Sequence, residues 1–283
     1  MNGEPAEQTG VSGLGAYGLI LKGLDGAAAQ MQPQPEGTPE FEIHVEIGDS
    51  ETTPSTLHQE SADLLLIGGG RLRLERGSGH AYFTLPRRPS DEELLHPYLA
   101  PAAALFWQWS GREALHAGAF AAGEGAVLIL GDKEAGKSTT LGWLARQANV
   151  PVLTDDLAVM DGRTVLAGPR TIDLRVTGDE GQSPGHLVRN GERDRILTSE
   201  VAYGLPLVGI AVLDWGPRLD YSSIGLSERF DIIDRHRTFH GHGLPPNPTA
   251  MLELGSVPIV YARRPHDIRE LPTFGRGLID YFS

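Results

Sequence analysis

Cysteine is absent from this chain of 283 residues. Its absence excludes disulfide bonds, a thiolate nucleophile, iron–sulfur clusters and zinc sites built on cysteine. Because nothing in the composition indicates an oxidising compartment, we expect a cytoplasmic protein.

Long apolar runs are also missing. The longest apolar-rich run, residues 99–109, is about half as long as a transmembrane helix requires. The N-terminal residues carry no basic segment followed by an apolar core, so we do not expect a secretory signal. We therefore expect a soluble protein that has no membrane partner.

Basic residues are fewer than acidic ones, with 24 Lys and Arg against 37 Asp and Glu and a net charge of −13. Such a field repels a phosphate backbone, so we expect no nucleic-acid partner. A basic peptide or a small substrate suits the field better, although charge that serves only solubility gives the same composition.

The distribution of residue types divides the chain into three parts. Residues 1–40 are polar and rich in Pro and Gln, which predicts a loosely ordered segment. Residues 41–110 predict an antiparallel β-rich region followed by a helix that starts at Ser90 and continues to Trp109. Residues 111–283 alternate strands and helices, including one strand over 114–120. The predicted fold class is α/β, with a core on a mixed sheet.

A complete phosphate-binding motif follows a predicted strand, 126–130, and precedes a predicted helix, 138–148. The glycines of the motif allow successive N–H groups to point at phosphate oxygens. We predict nucleotide contacts from Gly131, Asp132, Lys133, Glu134, Ala135, Gly136, Lys137, Ser138 and Thr139.

Two side chains of this loop carry the predicted chemistry. Lys137 is expected to reach the β- and γ-phosphates of ATP, and Ser138 to place its hydroxyl on Mg²⁺ at the positive end of the helix. A glycine-containing turn that matches the motif by chance is the alternative. The strand before it and the helix after it favour ATP and Mg²⁺.

An acidic pair, Asp155 and Asp156, follows the next predicted strand. In P-loop folds an acid at the end of a neighbouring strand holds Mg²⁺. Both carboxylates reach the phosphates only if the strand ends here, because successive strand residues point to opposite faces. One acid would then suit the metal and the other a general base, whereas a solvated turn is the alternative.

The register of a predicted hairpin places His116 next to the same loop. If the hairpin turns at 122–125, residue 121 pairs with 126, and His116 lies opposite about residue 131. There it can hydrogen-bond an aspartate or a phosphate oxygen, and a purely structural histidine is the alternative.

Other polar residues are weaker candidates. The pair His240-Gly-His242 resembles a metal site, but no third ligand is placed by spacing, which favours a loop. Pro245, Pro246 and Pro248 also mark a loop. Five arginines could clamp a phosphoryl group or serve only as surface charge: Arg170, Arg175, Arg189, Arg193 and Arg195.

Leu115-His116, the hairpin, the loop 131–138 and the pair Asp155-Asp156 together resemble the catalytic core of the HPr kinase/phosphorylase family. That family phosphorylates a protein serine on a P-loop core related to phosphoenolpyruvate carboxykinase. The resemblance implies a P-loop core of the HPr kinase C-terminal type. By the same resemblance His116 matches the active-site histidine, Asp156 the acid/base and Asp155 the neighbouring acid. From the P-loop argument we predict that Lys137 is catalytic and that Ser138 and Asp155 hold the metal.

The resemblance covers residues 112–216 and departs from the family in two places. The acidic residue that follows the loop serine in the family is Thr139 here, and the Glu-Ile-Arg-Gly signature is absent, with residues 172–175 only faintly similar. These departures argue against phosphorylase activity and against HPr as the substrate. The N-terminal β region instead resembles that of kinases which modify lasso-peptide precursors on a terminal serine.

We therefore predict an ATP-dependent kinase that phosphorylates a hydroxyl, with a serine-bearing peptide or protein as its partner. A small-molecule kinase on the same core would need a compact, closed acceptor pocket. A non-enzymatic nucleotide sensor would bind ATP without turnover. The sequence leaves open whether the chain forms a homo-oligomer.

Overall fold

The computed structural model describes residues 10–49, 53–66, 69–176, 186–188 and 191–283. The first part of the chain is a sheet of eight strands in the order β3-β1-β2-β4-β8-β7-β6-β5, in which β2, β4 and β8 run parallel. The strands are β1 (Val11–Ala16), β2 (Leu19–Lys22), β3 (Gln32–Pro35), β4 (Glu40–Ile47), β5 (Thr56–Leu57), β6 (Ser61–Leu65), β7 (Arg71–Glu75) and β8 (His80–Leu85).

Two predictions for this region are wrong. Residues 11–35 are not loosely ordered but contribute β1, β2 and β3, and residues 1–9 lie outside the described part of the chain. Pro33 and Pro35 are accommodated because β3 is an edge strand, where a missing N–H costs no pairing. The sheet is mixed and not antiparallel, because the chain crosses over between β2 and β4 and between β4 and β8.

A helical segment packs on this sheet, as the sequence predicts. It consists of α1 (Asp91–Glu93), a π-helical turn (Leu94–Tyr98) and α2 (Leu99–Trp109). The predicted capping box is confirmed, since Ser90 Oγ accepts from the Glu93 N–H and a Glu93 carboxylate oxygen accepts from the Ser90 N–H. His96 is non-helical because a following proline disfavours the helical conformation.

The rest of the chain builds a second, nine-stranded mixed sheet in the order β12-β10-β11-β18-β14-β13-β9, with β20 parallel to β18 and β19 on β20, and a small sheet β15-β17-β16. Its elements are β9 (Glu113–Leu115), β10 (Gly118–Ala122), β11 (Gly125–Leu130), α3 (Lys137–Gln147), β12 (Val152–Thr154), β13 (Ala158–Asp161), β14 (Thr164–Leu166), β15 (Thr171–Arg175), β16 (His186–Val188), β17 (Arg193–Leu197), β18 (Gly204–Trp215), β19 (Asp220–Ser223), α4 (Leu226–Arg235), α5 (Pro248–Ser256), β20 (Ile259–Arg264) and α6 (Leu271–Phe282).

Helices cover both faces of this sheet. Along β11, Val127 and Ile129 pack with side chains of α3 and α6, whereas Leu128 and Leu130 pack with side chains of α4 and α5. A strand buried on both faces is apolar throughout, as β11 is. The α/β class on mixed sheets is thus confirmed, and no helix of the described residues is long and apolar enough to cross a membrane.

Two predicted elements of this region are corrected. The strand expected over 114–120 is two strands, because β9 pairs with β13 whereas β10 pairs with β11 and β12. Residues 116–117 carry the chain from one set of neighbours to the next. Pro248 lies not in a loop but at the first position of α5, where a missing N–H costs no helical hydrogen bond.

Candidate functional site

The loop that joins β11 to α3 depends on two glycines. Gly131 has a φ of 146° and Gly136 a φ of 89°, values that favour glycine. A Cβ on Gly131 would lie 2.9 Å from the carbonyl oxygen of Leu213, and one on Gly136 would lie 2.7 Å from Nη2 of Arg264. The predicted strand, loop and helix are all present, and the N-terminus of α3 adds its positive dipole to the loop.

Lys137 is the first residue of α3 and is buried. Its Nζ donates to the carbonyl oxygens of Gly131 at 2.7 Å and Asp132 at 3.2 Å. Burial lowers the pKa of Lys137, while the charges of Asp156 and Asp155 act in the opposite direction. The ammonium group is therefore held against the backbone of the loop, where an anion would meet it.

Ser138 and Asp155 form the polar contact beside the lysine. The Ser138 hydroxyl donates to Asp155 Oδ1 at 3.1 Å, whereas Asp155 Oδ2 is buried without a hydrogen-bond partner among the described residues. Burial, and next the charge of Asp156, raise the pKa of Asp155 well above its usual range. A hard cation would compensate this carboxylate, so the pair fits Mg²⁺, which prefers oxygen ligands.

A tight turn brings Asp155 and Asp156 to the site together. β12 ends at Thr154, as the sequence argument required, and the Leu157 N–H donates to Asp155 O at 2.8 Å. Asp156 has a φ of 65°, a left-handed conformation that aspartate tolerates. The Asp155 side chain is buried, but that of Asp156 is 38% exposed. The two acids thus occupy different environments.

His116 lies between β9 and β10, next to the aspartate turn. The predicted hairpin register is confirmed, because Ala121 pairs with Ala126, but the pairing ends at Gly118. The His116 N–H donates to the carbonyl oxygen of His236 at 2.7 Å, so the predicted pairing of His116 with residue 131 does not form. Its Nδ1 lies 2.9 Å from the carbonyl oxygen of Asp156. Since a carbonyl only accepts, we assign the proton to Nδ1, which leaves the lone pair on Nε2. Surrounding protein atoms and the charge of Lys137 lower the pKa of His116, so its neutral form dominates at neutral pH.

His96 reaches the same turn from the N-terminal region, and sequence reasoning missed it. It is buried, and its Nε2 lies 3.8 Å from Asp156 Oδ2 and 3.6 Å from Asp173 Oδ2. No local pattern predicts this contact, because His96 and Asp156 are 60 positions apart in the sequence. The only signal was Pro97, which indicates a break in the helix.

Arg195 joins the N-terminal region to the core and does not clamp a phosphate. It lies in β17, not in a polar loop, and binds both carboxylate oxygens of Asp173, at 2.7 and 3.0 Å. The same guanidinium donates to the carbonyl oxygens of Glu92 and His96 and to Gln30 Oε1. The prediction for Arg195 fails because its buried charge is already paired.

Two further residues at the loop were not predicted. Arg264 ends β20, with its guanidinium 4.3 Å from the Trp215 ring centroid and its buried Nε without a hydrogen-bond partner among the described residues. His236 follows α4 and accepts from the Gly131 N–H through Nε2 at 3.2 Å. The carboxyl ends of parallel strands meet at one edge of a sheet. The arginines that follow the predicted strand 257–262 were therefore the sequence signal that could have indicated Arg264.

The remaining candidates have other partners or positions. Arg175 donates to Glu134 at 2.8 Å, and Arg170 donates to the carbonyl oxygen of Thr198 at 3.2 Å. His240 pairs with Asp234 at 3.0 Å, consistent with the loop interpretation. Arg193 lies in β17 opposite Arg175, and Thr139 is exposed on α3. Arg189 lies outside the described residues.

Solved structures of known proteins show a structural likeness to the chain. The chain is similar to the HPr(Ser) kinase/phosphatase from Coxiella burnetii over 60% of its own length and 89% of that protein, with 13% sequence identity and a TM-score of 0.33. No protein-family model matches the chain. No curated protein matches it either.

Proposed function

We propose that the protein is a Mg²⁺- and ATP-dependent kinase that transfers the γ-phosphoryl group to a serine hydroxyl of a peptide or protein. The proposal rests on one observation: a buried carboxylate oxygen of Asp155 has no hydrogen-bond partner among the described residues, and it lies beside Ser138 at the start of α3. A buried charged oxygen without a partner is costly, and a bound cation is one arrangement that compensates it.

The chain's own residues divide the binding work. Lys137 and Arg264 would bind phosphate oxygens, together with the N–H groups of the 131–138 loop. Ser138 and Asp155 would hold Mg²⁺ through their oxygens. Bound Mg²⁺ neutralises charge that develops on the transferred group.

The transfer then needs an attacking oxygen and a place for its proton. The serine oxygen forms a bond to the γ-phosphorus, the bond from that phosphorus to the bridging oxygen breaks, and ADP leaves with the electron pair. The hydroxyl proton passes to the carboxylate of Asp156, which is accessible where Asp155 is not. His116 supports the turn through Nδ1, and its Nε2 lone pair can accept a hydrogen bond from the incoming hydroxyl.

The cavity at the start of the 131–138 loop is small, and Asp156 and His116 are not among the residues that line it. The cavity lined by Gly131, Asp132 and His236 has a volume of about 180 Å³. Closed sites for small molecules have volumes of about 300–1,000 Å³. A peptide that lies across the surface requires no such enclosure, and the net charge of −13 suits a basic one. Among peptides, lasso-peptide precursors with a terminal serine are the class that the sequence resemblance favours.

A transfer assay with labelled ATP tests the proposal. Free serine, HPr and precursor peptides with and without their terminal serine are offered to the wild type and to Lys137→Ala. We expect label only on the serine-bearing peptide, and only with the wild type. Label on free serine alone would identify a small-molecule kinase. Tight ATP binding without label on any acceptor would identify a nucleotide sensor.

A further inference from the structure

Two histidines and a glutamate form a cluster on the outer face of the N-terminal sheet, away from the proposed kinase site. In the parallel pair β4 and β8, Glu42 is opposite His80 and His44 is opposite Tyr82. Alternate residues of a strand share a face, so the cluster is built into the strand pairing. We propose that Glu42, His44 and His80 bind one Zn²⁺ ion.

The spacing of the ligand atoms fits tetrahedral coordination. Zinc binds histidine nitrogen and carboxylate oxygen at about 2.0–2.2 Å, so two ligand atoms of a tetrahedron lie about 3.3–3.6 Å apart. Here His44 Nε2 lies 3.1 Å from His80 Nδ1 and 3.9 Å from Glu42 Oε1, and His80 Nδ1 lies 3.5 Å from Glu42 Oε2. Each separation is within about 0.4 Å of the tetrahedral range.

The chemistry of the ligands selects zinc over the ion expected at the kinase site. Two imidazoles and a carboxylate are a ligand set of zinc, with a water in the fourth position. Mg²⁺ prefers oxygen ligands alone and would compete poorly. Without metal the two ring nitrogens can share one hydrogen bond at 3.1 Å, and in the tautomers that leave both nitrogens unprotonated each has a lone pair for the metal.

Neighbouring structure holds the ligands and gives the metal a structural effect. The Tyr82 ring stacks on His44 with centroids 4.7 Å apart and planes inclined by 13°, which limits rotation of that ligand. The pair β4 and β8 is the seam of the sheet, since β1 to β4 lie on one side and β5 to β8 on the other. Zinc would therefore join the two halves of the N-terminal sheet.

Competition with a chromophoric chelator measures binding of Zn²⁺ alone to the full, metal-stripped chain. We expect one ion per chain. Replacing a residue that only orients a metal ligand weakens metal binding by about 10–100-fold. His44→Ala and His80→Ala each remove a ligand, so each should weaken zinc binding by at least that factor. His240→Ala is the matched control, because His240 is also an exposed histidine paired with a carboxylate.

A variant of the proposed kinase site shows whether the two sites are independent. Asp155→Asn should keep the zinc affinity of the wild type, so loss of kinase function and loss of zinc binding are independent results. Zinc should also raise the melting temperature of the wild type but not that of His44→Ala. Unchanged zinc affinity in both His44→Ala and His80→Ala, with the folded far-ultraviolet spectrum retained, would overturn the site. Loss in Asp155→Asn alone would place the zinc at the 131–138 loop instead.

Discussion

Replacing Asp155 with asparagine removes a buried charge and keeps the size of the side chain. Desolvation of an ion inside a protein costs about several kcal/mol. The Ser138 bond to a charged acceptor returns about 1 kcal/mol more than a bond to a neutral one. Desolvation is therefore the larger effect, and we expect Asp155→Asn to raise the free energy of unfolding by about 1–3 kcal/mol without nucleotide, at a pH where Asp155 is ionised in the folded chain.

The pH dependence of this gain follows from the direction of the pKa shift. Burial raises the pKa of Asp155 in the folded chain above the 3.8 of an exposed aspartate. Between those two values the folded chain holds more protons than the unfolded chain, so the free energy of unfolding falls as pH rises. The advantage of the variant should thus be absent below pH 3.8, grow across this window and be complete above the folded pKa.

Bound nucleotide should make the wild type more stable than Asp155→Asn, which reverses their order of stability. A ligand at 100 times its dissociation constant adds about 2.7 kcal/mol to the free energy of unfolding. Mg²⁺·ATP should give the wild type such an increment and give Asp155→Asn much less, because an amide is a poorer ligand for Mg²⁺. Urea unfolding of both proteins, with and without Mg²⁺·ATP, measures the crossing. A variant that is less stable than the wild type without nucleotide, or equally stabilised by it, would refute the reasoning.

Four other substitutions test the remaining roles in single-turnover and nucleotide-binding assays. Lys137→Ala should lower kcat by about 10²–10³, since it removes one preorganised contact to the phosphates, and near-normal turnover would exclude the proposed phosphate site. His116→Ala should lower turnover more than ATP affinity, and a loss that only parallels a lower melting temperature would indicate a structural role. Asp156→Asn should keep Mg²⁺·ATP binding and lose transfer, because an amide cannot take the proton; an active variant would move the base to His116. His96→Gln should lower kcat with the KM for ATP unchanged, and unchanged kcat would confine His96 to its contact with Asp173.

Local rules account for the parts of the site that are close in sequence. The glycine spacing predicted the loop before α3, and counting from the hairpin turn gave the register of β10 on β11, although this pairing ends before His116. The requirement that β12 end before Asp155 followed from strand geometry alone. Each of these depends on residues within one turn or one hairpin, where backbone sterics and pairing leave few choices.

Long-range contacts account for what was missed. His96 and Arg264 reach the site from the segment before α2 and from the end of β20, and no periodicity indicates which side chain a distant strand or helix meets. The strands within 11–35 were missed for a related reason. Their prolines read as loop signals, and only the position of β3 at the sheet edge makes them compatible with a strand.

The contacts of Arg195 bear on whether the N-terminal sheet can be removed from the rest of the chain. Its guanidinium holds Asp173 of the core while it donates to carbonyl oxygens at Glu92 and His96. A fragment that began at residue 111 would keep this ion pair but expose it to solvent without those acceptors, and an exposed ion pair contributes only about 0–1 kcal/mol. The N-terminal sheet is therefore not a detachable module. Any replacement of this sheet would have to supply hydrogen-bond acceptors for that one arginine.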